Sequence, residues 1–181
     1  MDVVKLDIPD VLLLTPRVFP DDRGFFLESW NARTWREATG LDTTFVQDNH
    51  SRSARGVVRG LHYQVRHAQG KLVRVVAGEI FDVAVDLRRS SPTFGRWVGA
   101  ALSAENHRQL WIPAGFAHAF MALSESADVL YKASDYYDRE AERSIRWDDP
   151  ELGIAWPSDE ASALSDKDER GVSFREAETY P

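Results

Sequence analysis

Apolar residues along this chain come in short bursts. From Val11 to Ser134 they read VLLLT, GFFLESW, TFVQDNH, GVVRGLHYQ, KLVRVVAG, EIFDVAVDL, GRWVGAAL, RQLWIP, HAFMAL and DVLYKAS. Their recurrence is close to the roughly 8–12-residue spacing of strands in a sandwich or barrel. Asp22-Arg23-Gly24, Ala77-Gly78-Glu79, Ser91-Pro92-Thr93 and Pro113-Ala114-Gly115 supply turn formers between bursts, which predicts hairpins and not βαβ crossovers. From Phe81 to Leu87, alternation puts Phe81, Val83, Val85 and Leu87 on one strand face and Asp82 and Asp86 on the other. A helix is predicted only at Asn31 to Gly40, where Asn31 can N-cap, Trp35 and Ala38 share a face, and Gly40 can end the last turn. The acidic, Ser-rich C-terminal stretch predicts short helix and irregular cover. No repeat, low-complexity tract or Pro/Ser linker interrupts the sequence before the polar stretch after Pro157. The expectation is a single domain over 1–181, a mainly β, jelly-roll type barrel with a few short helices.

Composition narrows the function classes. The 181 residues carry 22 Lys+Arg against 29 Asp+Glu, a formal charge of −7, with no window dominated by cations. Binding to nucleic acid or anionic lipid by counterion release is therefore not expected. Hydrophobic residues at 43% and aromatics at 11% suffice for a core and for rings lining a pocket,. The absence of cysteine removes disulfides, zinc–thiolate sites and a cysteine nucleophile, and suits a reducing cytosol. The opening MDVVKLDIPD lacks a basic n-region, and no apolar run approaches the roughly 18 residues that span a bilayer. A soluble, cytoplasmic protein is expected, so the sequon Asn49-His50-Ser51 is a chance match.

Two histidines attract attention. Metal-binding cupin barrels carry G-x5-H-x-H followed by a Glu, then G-x5-P-x-G-x2-H-x3-N. Here Gly56 precedes His62 at the right spacing, but Gln64 replaces the second His, and the Glu position falls at Ala68 or Gln69. The second segment survives as Pro113-Ala114-Gly115-Phe116-Ala117-His118, with His107 at its leading Gly and Ala122 at its Asn. Only His62 and His118 remain of four ligands, too few for an ordinary metal site, so no metal is expected.

Without a metal, imidazole suits proton transfer near neutrality. Arg59 lies three residues before His62, Lys71 begins the next predicted strand, and Tyr131 and Lys132 lie on a later one. Should these strands face one interior, the pocket would hold a base, two cations and a phenol. That set suits removal of a proton beside a carbonyl, with a cation stabilising the enolate and an acid on the other side. Asp82, set between Phe81 and Val83, needs a partner if buried, and His118 is the expected one. His50, His67 and His107 receive no role.

The segments FPDDRGFFLESW, FVQDNHSRSARGVVRGLHYQ, QGKLVRVVAGEIFDVAVDLRRSSPTFGRWVGAALSAENHRQLWIPAGFAHAF, YKASDYY, WDDPELGIAWP and LSDKD resemble the dTDP-4-dehydrorhamnose 3,5-epimerase family over roughly residues 3 to 170. The resemblance implies a metal-free cupin jelly roll without cofactor, usually a homodimer with strands exchanged between subunits. It implies inversion of C3 and C5 of dTDP-4-dehydro-6-deoxy-D-glucose on the way to dTDP-L-rhamnose. By the same resemblance His62 is the base, Asp168 the carboxylate that orients it, Tyr131 the opposite-face acid and Lys71 the cation near the C4 oxygen. Arg23 and Arg59 match the pyrophosphate contacts, Glu28, Gln47 and Asn49 contact nucleotide or sugar, and Phe26 and Tyr137 are platforms for thymine. His118, Glu142 and Lys167 match further substrate contacts. The loop Val65-Arg66-His67-Ala68 is shorter than the proline-containing segment many relatives carry.

Three other readings compete. An epimerase acting at C3 only would be expected to lack Tyr131 or its YKASDYY context, and both are present. A metal-dependent cupin enzyme is opposed by Gln64 and Gln69. A binding module without turnover has no need of a base and an acid together.

Overall fold

A computed structural model describes residues 1–158 and 161–181. The strands are β1 (Asp2–Lys5), β2 (Leu12–Thr15), β3 (Val18–Asp21), β4 (Gly24–Leu27), β5 (Gln47–Ala54), β6 (Val58–Gln64), β7 (Lys71–Ala77), β8 (Glu79–Asp86), β9 (Trp97–Ser103), β10 (Gln109–Ile112), β11 (Phe116–Ala122), β12 (Ser126–Ala133) and β13 (Glu142–Ser144). Helix α1 spans Ala32–Thr39 and α2 spans Asp166–Glu169, with a 3-10 turn at Phe174–Glu176. One sheet runs β1-β2-β10-β7-β12-β5, the other β13-β6-β11-β8-β9, and β3 pairs only with β4. All strand pairs are antiparallel, the jelly-roll arrangement the hairpin punctuation predicts.

The alternation read from the sequence sorts side chains into layers. Val73, Val75, Ala84, Leu110, Phe120 and Val129 pack between the sheets in the central core. On the outer face of the five-stranded sheet, Leu61, Val83, Val85 and Leu87 form a second cluster, covered by Ile154, Trp156, Phe174 and Tyr180 of the C-terminal segment. On the outer face of the six-stranded sheet, Leu12, Leu14 and Leu72 meet Trp35 of α1, joined by Trp111, Trp30 and Phe45. Asn31 caps α1 by accepting from the Arg33 and Thr34 amides, and Gly40 closes it at φ 74°, where a side chain would be strained.

Strand β6 carries one irregularity. Arg59 and His62 are three apart, so a regular strand would point them to opposite faces. The β6–β11 register shifts between His118↔His62 and Phe120↔Arg59, which places an extra residue in β6. The bulge includes Gly60 at φ 112°, where a Cβ would lie 2.3 Å from the His118 carbonyl oxygen and 2.7 Å from Ala119 Cα. Only glycine fits this close approach, and it turns both Arg59 and His62 to the interior while Leu61 packs outward.

Candidate active site

Between the sheets opens a cavity of about 340 Å³. Strands β5, β7 and β12 contribute Gln47, Asn49, Lys71 and Tyr131 from one sheet. Strands β6, β11 and β13 contribute Arg59, His62, His118 and Glu142 from the other, and Tyr137 and Lys167 close the rim. Ten of the fourteen residues singled out from the sequence therefore line one space.

His62 is half-buried, and its Nε2 meets the Asp168 carboxylate. With Nε2 donating, Nδ1 is the nitrogen left to carry a lone pair. Asp168 reaches this place because the C-terminal segment runs along β6, with Val58 N–H donating to Ala163 O and Ser162 N–H to Gly56 O. Ser165 caps α2 by accepting from the Asp168 amide, and its hydroxyl donates to Asp168 Oδ2 at 2.9 Å. Burial opposes the charge on Asp168, but the His62 and Ser165 hydrogen bonds and the nearby cations outweigh it and hold the carboxyl below its usual range. Burial is likewise the main influence on His62 and depresses its pKa. Asp168 pulls the value up, and Lys167 and Lys71 add to the depression. The result is a neutral imidazole at pH 7, available as a base.

Lys71 is buried and forms no ion pair among the described residues. Desolvation lowers its pKa from 10.5 to about 8, although Glu142 and Asp82 draw it upward. An ammonium in such a place favours negative charge gathering on an oxygen beside it. Burial and then Glu142 push the Tyr131 phenol up, against Arg59, so the phenol keeps its proton at neutral pH. Arg59 is fixed by Ser53 Oγ and the Arg52 carbonyl. Glu142 accepts from Lys167 Nζ at 2.7 Å and from the Tyr137 hydroxyl at 2.9 Å. Gln47 Oε1 accepts the Tyr137 amide, and its Nε2 donates to Asn49 Oδ1. The Asp82–His118 pairing expected from the sequence is present at 2.6 Å.

Arg23, Phe26 and Glu28 do not join this set. The β3–β4 ribbon pairs with neither large sheet. Arg23 at its turn is bound to Asp21, Phe26 is 68% exposed, and Glu28 accepts from Asn31 and Thr34.

A sequence profile for dTDP-4-dehydrorhamnose 3,5-epimerase matches residues 5–176. The chain belongs to that family. It is 64% identical over 181 residues to the Pseudomonas aeruginosa dTDP-4-dehydrorhamnose 3,5-epimerase, covering 100% of both chains. It is 56% identical to the Shigella flexneri enzyme of that name, covering 99% of each. The crystal structure of dTDP-6-deoxy-D-glucose-3,5-epimerase from Legionella pneumophila, in complex with dTDP-4-keto-L-rhamnose, superposes with a TM-score of 0.95. Identity there is 51%, over 98% of this chain and 94% of that one.

In this member of the epimerase family the cavity also holds residues that sequence reasoning left without a site role. Gln64 donates to the His67 and Tyr136 carbonyls and accepts the Asp138 amide, and Gln69 donates to the Asp135 carbonyl. The positions that would ligate metal in other cupins here tie down the loop carrying Tyr137. Among the described residues no three His, Cys, Asp or Glu side chains converge as a metal site. Ser51, Tyr63 and Phe120 also line the wall. For Ser51 and Phe120 the inward alternation on β5 and β11 was the available signal, but ordinary core positions share it, while Tyr63 packs with Leu61 in the outer cluster.

Proposed function

We propose that this chain inverts C3 and C5 of dTDP-4-dehydro-6-deoxy-D-glucose to give dTDP-4-dehydro-L-rhamnose, without metal or cofactor. The observation that carries this reading is the convergence in one cavity of the carboxylate-held His62, the buried Lys71 and the buried Tyr131. The C4 ketone acidifies the hydrogens on both neighbouring carbons. His62 removes such a hydrogen through Nδ1, Lys71 stabilises the charge that gathers on the C4 oxygen, and Tyr131 delivers a proton to the opposite face. Inversion needs both groups, because a single group on one side returns the proton where it found it. Arg59 binds the pyrophosphate, Tyr137 supports thymine, and Gln47, Asn49, His118, Glu142 and Lys167 hold sugar and nucleotide.

The working form we propose is a homodimer of single-domain chains in the cytoplasm. In it the β3–β4 ribbon of one copy reaches the cavity of the other, bringing Arg23, Phe26 and Glu28 to the nucleotide. No described helix is long and apolar enough to cross a membrane.

Proton NMR of the substrate with purified protein in deuterated water, without added metal or nicotinamide, tests this. Loss of both the C3 and C5 hydrogen signals with inversion is the expected result. Exchange at C3 alone would assign the mono-epimerase reaction, and no exchange at either carbon would overturn the enzymatic reading.

A further inference from the structure

Inverting two carbons with one base and one acid leaves protons in the wrong places. Each inversion puts one proton on His62 and takes one from Tyr131. After the first, His62 is an imidazolium and Tyr131 a phenolate, and neither can act on the second carbon. A buried phenol whose pKa is held high by its surroundings is a strong base once emptied, so it must regain a proton before the second carbon can react.

The geometry points to His118, held by Asp82, as the station through which Tyr131 regains its proton between the two inversions. This rests on the base and acid roles proposed above. His118 stands directly across from His62 in the β6–β11 register. Its ring centroid lies 6.4 Å from that of Tyr131, edge-on at 64°. All three rings face the same cavity, so His118 neighbours both the group that gains protons and the group that loses them.

Asp82 gives this histidine more than a fixed orientation. It is fully buried, binds His118 Nε2 through Oδ1, and leaves Oδ2 without a partner among the described residues. With Nε2 given to that carboxylate, Nδ1 is the nitrogen left to take up a proton and pass it on,. In the step itself, the N–H bond on His62 breaks and its proton passes to His118 Nδ1 through a cavity water that exchanges with solvent. The Nδ1–H bond of His118 then breaks as the phenolate oxygen of Tyr131 takes the proton, which restores the phenol and the His118 ring. Over two inversions the protons balance and no oxidant or reductant is involved.

Rapid-quench analysis of singly and doubly inverted sugar nucleotide, with substrate in excess, tests the assignment. In the wild type the second inversion follows the first without accumulation. His118→Gln is expected to give a burst of singly inverted product approaching one equivalent per site, then turnover slowed about 10²-fold, the scale of a lost proton-transfer group. Asp82→Asn, which preserves shape and keeps an acceptor for His118, should show a milder version, and added imidazole should speed the slow phase of His118→Gly. A His118→Gln time course like the wild type overturns the proposal. So does equal slowing of both inversions without a burst, which would make His118 a substrate contact alone. Tyr131→Phe is the separate control: retained inversion at both carbons there would sink the acid role itself.

Discussion

Lys71 is a cation kept away from water, 8% exposed and with a pKa near 8. At neutral pH the folded chain carries the full cost of that charge, because the unfolded lysine at 10.5 is solvated. As pH rises from about 8 toward 10.5 the native amine loses its proton first, the unfolded state binds more protons, and stability rises. Lys71→Met should therefore raise unfolding stability at pH 7 by on the order of 3 kcal/mol while activity collapses. The gain should shrink on going to pH 10. Denaturant unfolding at the two pH values measures it, and identical stability at pH 7 would show that the ammonium carries no such penalty. The residues of the proposed reacting centre differ in how visible they were. His62, Arg59, Lys71 and Tyr131 stood out as polar groups on predicted strands. Asp168, 106 positions from His62, is an ordinary acid in a polar stretch and was assigned only through family resemblance.

The elements were legible where periodicity and capping agree. Helix α1 lies where Asn31 and Gly40 bracket it, and the strands follow the alternating bursts. The bulge in β6 was not legible, because spacing of three in a strand reads as opposite faces. It exists because Gly60 accepts a conformation and a contact closed to other residues. Gly60→Ala is expected to cost more than about 3 kcal/mol, by forcing β6 from β11 and moving His62 from Asp168. An unfolding midpoint near the wild type, with normal turnover, would show that the bulge tolerates a side chain.

At the scale of the molecule, the β3–β4 ribbon exposes Phe25 and Phe26 at 60% and 68%, with Phe19 at 44%. These exposed rings are apolar surface that the proposed dimer would cover. Light scattering should give twice the chain mass, and Phe25→Ser with Phe26→Ser should shift the population toward monomer and lower activity together. A fully active monomer would remove the role proposed for the ribbon. The charge pattern also belongs to this scale: a chain of net charge −7 gathers Arg59, Lys71 and Lys167 around one cavity, a concentration that composition cannot express.

Alternation, turn residues and caps determined the mainly β architecture and the course of α1, because those signals act between near neighbours on the chain. The sequence also determined which side chains had the chemistry for proton transfer, since two histidines without a ligand set, a lysine and a tyrosine on strands are local facts. What the tertiary structure decided was the meeting of groups far apart in the chain. It delivered Asp168 to His62, set His118 beside both His62 and Tyr131, shifted the β6 register at Gly60 and left the β3–β4 ribbon outside the cavity. Each depends on how two sheets and a C-terminal segment pack, and packing is set by the whole chain at once.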